Sequence, residues 1–354
     1  MKRIRVLVVE DSLTMRQRLI ETLSADPALE VVGESTNGEQ ATSMCQEMRP
    51  DVITLDMVLP GLDGVQVTET IMARCPTPIL IISGSFNRGE VFKTYDALAA
   101  GALEVLEKPR GTEPEGEWER SLLNLVKLVS RIKVITHLRG RQRGTGWHAT
   151  ALESSALPRG DHGRVVVIGT STGGPGALTA VLKGLGKGFP WPILVVIHIG
   201  APFSEAFVSW LKDQVQMPIN HAQDGMLLAE HTGSVLMAPP EHHLSVVLGR
   251  VRLTESEPVH SCRPSVDVLF HAAAQDLGNR GVGCLLTGMG KDGALGLLAM
   301  RKAGGLTIAQ DESTSVVFGM PREAILLGGA ERVLPLDQIG PHLLQLASRP
   351  RSPA

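Results

Sequence analysis

Short, mostly apolar runs alternate with longer mixed segments along this chain. In the first third the runs are Ile4–Val9, Asp51–Leu55, Pro78–Ile82 and Leu103–Leu106, and Val31–Gly33 is a further short strand. Each is too short for a helix and most are rich in β-branched residues, which is how a strand covered on both faces of a parallel sheet reads. Between them, Leu13–Ser24 and Gly38–Met48 carry helical spacing. The alternation resumes at Arg164. Val165–Ile168, Trp191–Ile197 and Gly281–Leu286 predict buried strands; helices are expected after Pro175, at about Ser204–Lys212 and over Ala294–Lys302. Strand and helix at this pitch predict an α/β chain with doubly wound, mostly parallel sheets, whose ligands gather beyond the C-terminal strand ends.

The middle of the chain separates two such regions. Leu122, Leu125, Val126, Val129, Ile132 and Ile135 share one face if Trp118–Leu138 is a single helix running on toward a linker. Gly140–Gly163 is rich in Arg, Gly, Ser and Pro and reads as a flexible connector. The expected layout is a first domain over 1–138, a linker over 139–163, a second domain over 164–349 and a frayed tail over 350–354. A length of 354 residues suits two domains.

Charge and cysteines narrow the partners. A net charge of −3 gives no electrostatic case for nucleic acid or an anionic membrane surface. No apolar run reaches the ~18 residues of a membrane span, and the apolar stretch after Lys2-Arg3 is too short for a signal sequence. Cys45, Cys75, Cys262 and Cys284 show no C-x-x-C spacing, so a reduced, cytoplasmic chain without a thiolate metal site is expected.

The strand ends carry the chemistry. In the first region they present Glu10, Asp11, Asp56, Ser83 and Lys108. Each aspartate alone could be a turn or cap residue. Together, converging carboxylates repel one another unless a cation sits among them, and an oxygen-rich set of this kind suits Mg²⁺. Lys108 can pair with a carboxylate or a phosphoryl group, and Asp56 can act as a phosphoryl-accepting nucleophile. Residues 1 to about 120 resemble the receiver domain of response regulators through VLVVEDS, PDVITLDMVLPGLDG, the Ser83 strand end and GALEVLEKP. The resemblance implies a flavodoxin-like, five-stranded parallel sheet with Asp56 as phospho-acceptor and Glu10 and Asp11 as the acid pair. It implies Mg²⁺ on Asp11, Asp56 and the Val58 carbonyl, with Ser83 and Lys108 reading phosphoryl oxygens. The chain departs from the receiver pattern at Val58 and Val105.

In the second region the run Val165–Ile168 ends in Gly169-Thr-Ser-Thr-Gly-Gly-Pro175. A glycine turn without chemistry, a phosphate cradle and a nucleophilic Ser171 all fit those residues alone. His198 follows the second strand directly, and Asp292 follows the third, at or near the start of the next helix. Singly, His198 could be a structural hydrogen bonder and Asp292 a helix cap. Jointly they give a serine whose proton an imidazole takes, and an imidazole that a carboxylate orients. The chain order Ser, His, Asp differs from that of α/β-hydrolases.

Residues 164 to about 346 resemble the catalytic domain of chemotaxis protein-glutamate methylesterases, the CheB family. IGTSTGGPGAL, VVIHIGAPF, SCRPSVDVLF, LLTGMGKDGALGL and AQDESTSVVFGMPREAI carry the likeness. It implies Ser171 as nucleophile, His198 as general base and Asp292 as orienting acid, with the Met289 N–H and Thr172 at the oxyanion. Met320-Pro321 and Arg263 would line the cleft, and no cofactor would be needed for ester cleavage. The implied activity is phosphorylation-activated demethylation of methyl-accepting chemoreceptors, with possible deamidation of receptor glutamines, and a chemotaxis histidine kinase as phosphodonor. A monomer in which the unphosphorylated receiver covers the Ser171 cleft is the accompanying expectation. A binding-only regulator would have no use for Ser171, and a transcriptional regulator would need a basic helix-turn-helix that the output half lacks. His242-His243 reads as a solvated turn, and Gln310-Asp311-Glu312 as a strand end and turn.

Overall fold

The computed structural model describes residues 2–84, 88–109, 111, 114–132, 134 and 163–348. The linker expected over 139–163, apart from Gly163, and the tail over 350–354 lie outside the described residues. The chain forms two compact units.

The first unit alternates strand and helix throughout. β1 (Ile4–Val9), α1 (Leu13–Ser24), β2 (Leu29–Ser35), α2 (Gly38–Met48), β3 (Val52–Asp56) and α3 (Gly64–Arg74) come first. β4 (Ile79–Ser83), α4 (Arg88–Ala100), β5 (Glu104–Glu107) and α5 (Glu117–Val129) complete it. The strands form one parallel sheet, as the apolar runs predicted, and their order is β2-β1-β3-β4-β5. β3 and β4 are buried along their whole length, because helices cover both faces. Side chains set the helix starts: Ser12 caps α1, Asn37 caps α2, and Asp63 with Gln66 makes a reciprocal capping box at α3. α5 stops at Val129, earlier than the single helix to Leu138 that the apolar spacing suggests. Its buried stripe is Trp118, Leu122, Val126 and Val129; Ile132 follows in a turn.

The second unit begins with β6 (Val165–Thr170), α6 (Gly174–Leu185), β7 (Ile193–Ile197), α7 (Ala201–Gln214), β8 (Ile219–His221) and β9 (Val235–Met237). A hairpin, β10 (His243–Val247) and β11 (Arg250–Thr254), follows. Then come α8 (Val266–Leu277), β12 (Gly281–Leu285), α9 (Ala294–Lys302), β13 (Leu306–Gln310), α10 (Met320–Leu326), β14 (Arg332–Leu334) and α11 (Leu336–Ser348). Seven strands pair in parallel in the order β14-β13-β12-β6-β7-β9-β8.

β6 is the hinge of this topology. The chain leaves it toward β7 on one side and returns to pair β12 on the other, so a crevice opens beyond its C-terminal end. Strand alternation sends Val165 and Val167 into the core shared with Val266, Leu269, Phe270 and Ala273 of α8. At the strand's end Gly169 lets α8 approach, since a Cβ there would lie 2.1 Å from Val266 Cγ1. The sheet therefore holds the start of α8 against the crevice.

Candidate functional site

The crevice collects three strand ends. β6 and β7 run in register to Thr170 and Ile197, and the His198 N–H donates to Thr170 O at 3.1 Å. Ser171 and His198 are thus the next residues of adjacent strands. On the other side β12 delivers Thr287, whose carbonyl accepts from Ser171 N–H at 3.0 Å and from Thr170 Oγ1 at 2.8 Å. Ser171 Oγ makes no hydrogen bond among the described residues, and its backbone begins the turn into α6.

His198 Nε2 lies 2.9 Å from Asp292 Oδ2, as the sequence pairing of imidazole and carboxylate anticipated. The other ring nitrogen, Nδ1, is 3.8 Å from Cys262 Sγ, a neighbour the sequence did not suggest. Burial disfavours the imidazolium, but the Asp292 hydrogen bond and then Cys262 outweigh it, and the His198 pKa is pushed up to about 9.

Asp292 precedes α9 but is not held by it. α9 starts at Ala294 behind Gly293, and the donors to Asp292 come from α8. Asp292 Oδ1 accepts from Ser265 Oγ at 2.8 Å and Asp267 N–H at 2.9 Å. Oδ2 accepts from Val266 N–H at 2.7 Å besides His198. Ser265 is the N-cap of α8, so the carboxylate sits on the free amides and positive end of that helix. Burial works against its ionisation, yet His198 and the Asp267 and Val266 amides hold its carboxyl below the ordinary range.

His243 supports the same helix start. It is fully buried at the head of β10, with Nδ1 accepting from Ser265 N–H at 3.1 Å and Nε2 donating to Glu257 O at 3.1 Å. The solvated turn expected for His242-His243 is therefore wrong at His243. His243 opens β10, and its burial comes from the hairpin folding onto α8.

Thr287 and Gln310 form a network that the sequence did not reveal. Gln310, the last residue of β13, is fully buried and its Oε1 accepts from Thr287 N–H at 2.8 Å. Thr287 Oγ1 donates to Thr172 O at 3.0 Å and accepts from Val317 N–H at 2.9 Å. The next N–H, of Gly288, goes to Val317 O at 3.1 Å, whereas the Met289 N–H makes no hydrogen bond among the described residues. Gly288 must be glycine for space: a Cβ would lie 2.3 Å from Met320 Sδ and 2.8 Å from Ser171 Cβ. Thr172 is buried nearby, and Met289 is half exposed. Arg263, named from sequence for the cleft, spends its guanidinium on Glu241 Oε2 at 3.0 Å and on the Glu255 carbonyl at 3.0 Å.

A second constellation occupies the strand ends of the first unit. Lys108 Nζ lies 2.9 Å from Glu10 Oε1 and 2.9 Å from Asp56 Oδ2. Asp56 Oδ1 accepts from Met57 N–H at 2.7 Å. Asp11 joins Glu10 and Asp56 in a cluster in which one carboxylate oxygen of each lies within 4.8 Å of the others. Burial, and then the charge of Asp56, raise the Glu10 pKa to about 7, and burial raises that of Asp56 despite Lys108. Glu10 Oε2 is buried and has no hydrogen-bond partner. Crowded, partly unsatisfied carboxylates are the donor set a hard divalent cation takes, so these residues fit one. Ser83 closes the pocket, its Oγ accepting from Thr94 Oγ1 at 3.3 Å and its carbonyl from Lys108 N–H at 2.9 Å. Val58 stands half exposed beside Asp56.

A carboxylate and lysine cluster in one α/β module, joined to a second with serine, imidazole and carboxylate at its switch point, is the layout of a receiver-linked esterase. Comparison with known proteins agrees. The CheB methylesterase family profile matches residues 166–343, and the response regulator receiver domain profile matches residues 6–114. A protein-glutamate methylesterase/protein-glutamine glutaminase of Nitrosospira multiformis is 44% identical over 348 residues, 98% of this chain and 97% of that protein. A protein of the same name from Pseudomonas aeruginosa is 40% identical, over 98% of this chain and 97% of its own. The crystal structure of the Thermotoga maritima CheB methylesterase catalytic domain is 38% identical with a TM-score of 0.50, covering 52% of this chain and 98% of that one. The chain belongs to the CheB methylesterase family, with an N-terminal receiver domain. No helix of the described residues is long and apolar enough to cross a membrane.

Proposed function

We propose that the chain hydrolyses γ-glutamyl methyl esters on methyl-accepting chemoreceptors, with Ser171 as nucleophile, His198 as general base and Asp292 as orienting acid. The observation that carries this reading is the His198–Asp292 contact of 2.9 Å, one strand away from an uncommitted Ser171 hydroxyl. Ser171 Oγ attacks the ester carbonyl while His198 Nδ1, the nitrogen turned away from Asp292, takes its proton. The imidazolium then protonates the departing methoxide, and methanol leaves an acyl-Ser171. Water, deprotonated by the same nitrogen, releases the glutamate carboxylate and frees the serine. The uncommitted Met289 N–H, beside Thr172, is suited to the developing oxyanion. Attack on a glutamine γ-amide follows the same course with ammonia as the leaving group, as the relatives' second name suggests for those proteins.

Phosphoryl transfer from a chemotaxis histidine kinase to Asp56 would raise this activity. Asp11, Asp56 and the Val58 carbonyl would hold Mg²⁺, with Glu10 beside it; when bound, the ion neutralises charge on the incoming phosphoryl group. The Val58 and Met57 N–H groups orient the Asp56 carboxylate. Lys108 is positioned to turn from Asp56 to a phosphoryl oxygen, and Ser83 to donate its hydroxyl to another.

Methanol release from methylated chemoreceptor membranes, with and without a small phosphodonor, tests the reading. Wild type should release methanol faster with the donor; Asp56→Asn should lose the stimulation alone, and Ser171→Ala should lose release by at least about 10⁴-fold. Unchanged release by Ser171→Ala would overturn the assignment.

A further inference from the structure

Four cysteines are spread over the two units, and only two of them meet. Cys45, on the inner face of α2, and Cys75, the residue that ends α3, bring their sulfurs to 3.1 Å across 30 residues of sequence. That is about 1 Å beyond the ~2.05 Å of a disulfide bond, a gap that side-chain rotation and a slight helix shift can close. Cys284 is fully buried in β12 with its thiol pushed up to about 12 by burial, and the Cys262 sulfur sits 3.8 Å from His198 Nδ1 and 3.5 Å from the His260 carbonyl, away from any other thiol. The Cys45–Cys75 pair is the place among the described residues where two thiols can react with one another.

The surroundings favour that reaction. Cys75 S–H donates to Cys45 Sγ, Thr77 Oγ1 lies 3.5 Å from Cys45 Sγ, and Thr77 Oγ1 donates to Cys75 O at 2.8 Å. The Cys75 hydrogen bond, against burial and together with Thr77 and the charge of Arg49, lowers the Cys45 thiol to about 7, while the remaining proton between the sulfurs is held more tightly. A shared proton of this kind gives the pair thiolate character near neutral pH. Cys45 is fully buried, but Cys75 is partly exposed, so a small oxidant has an entry point.

We propose that Cys45 and Cys75 are a reversible disulfide site for small peroxides, tying α2 to the C-terminal end of α3. The pair's thiolate attacks the peroxide oxygen, forming an S–O bond and breaking O–O; hydroxide leaves and is protonated to water. The partner thiol attacks the resulting sulfenic sulfur, forming S–S and breaking S–O, and a second water departs. The sum is two thiols and hydrogen peroxide giving one disulfide and two waters, with two electrons passing from sulfur to oxygen. Reduction by a dithiol reverses it. Such disulfides in reducing compartments are transient and regulatory rather than structural. α3 links this site to the phospho-acceptor loop, because the Gly64 N–H at its other end donates to Met57 O at 3.2 Å.

The experiment uses the full-length, fully reduced protein titrated with hydrogen peroxide, alkylated, digested and mapped without reductant. The expected result is a linked pair of peptides carrying Cys45 and Cys75, a loss of two of the four thiols, and full recovery of both with dithiothreitol. Cys75→Ser should form no intrachain link under the same conditions. If Cys45 and Cys75 remain alkylatable while Cys262 is consumed, or if links form only between chains, the proposal is wrong. The wild-type map decides the matter even if the variant is unstable.

Discussion

Both units place carboxylates and a cationic side chain beyond the ends of parallel strands, yet the two sites are completed differently. Around Asp292 every oxygen is taken, by Ser265 Oγ, Asp267 N–H, Val266 N–H and His198. Around Asp56 and Glu10 one lysine serves two carboxylates, and Glu10 Oε2 has nothing. Saturation fixes a side chain and keeps it charged; under-saturation stores repulsion that an arriving cation relieves. The same edge of the same kind of sheet thus gives an orienting acid in one unit and a binding pocket in the other. His198, Cys262 and Asp292 also lie close enough together to suggest a metal, but Asp292 has no oxygen to spare for it.

The sharpest break of this contrast is Asp292→Asn. An amide cannot satisfy three α8 donors and also hold the imidazole, so kcat should fall by about 10⁴-fold with KM little changed. A loss under tenfold in methanol release would mean that the carboxylate does not orient His198. Removing divalent metal with a chelator should come next. Phosphoryl incorporation into Asp56 should drop to background, while the basal esterase rate of the same sample stays constant; equal loss of both would erase the distinction between the filled and unfilled sites. Gln310→Leu should lower kcat by about 10- to 100-fold, because it strips Thr287 N–H of its acceptor and loosens the peptide beside Met289. Steady-state kinetics on folded protein, checked by circular dichroism, would read that effect.

The smallest effect is on pH. His198 is raised to about 9, so kcat/KM should climb with pH until about 9 as the base loses its proton. Cys262→Ala removes one contributor and should move the midpoint down. The stability sign follows from the same shift. A group raised in the folded state stabilises it fully below its unfolded value near 6.5 and loses that contribution as pH climbs through about 9. Thermal melts of wild type should therefore decline across that window more steeply than those of His198→Gln.

What the sequence made legible follows from locality. Val165–Thr170, Ile193–Ile197 and Val52–Asp56 announce themselves because a strand covered on both faces is apolar along most of its length. Their end residues could then be named, and the imidazole and carboxylate do meet. The partners of those residues were not legible. Asp292 lies two residues before α9, so its own helix was the natural guess, but its donors come from α8, 25 to 27 residues earlier in the chain. Gln310 looks like any polar strand end until Thr287 is brought beside it from 23 residues away. His243 is polar in sequence and buried only because its hairpin packs on α8. Apolar spacing also overshot at α5, since it records a buried stripe and says nothing of where the backbone stops being helical.

The attachment of Asp292 to the first turn of α8 has a consequence for how the site comes apart. Val266 and Asp267 donate their amide protons to a fully enclosed carboxylate and belong to a helix seated in the core. Those two protons can trade with deuterium only when the start of α8 lifts off the sheet. Their exchange rates would therefore report the free energy of opening the assembled site, residue by residue, with no substrate present.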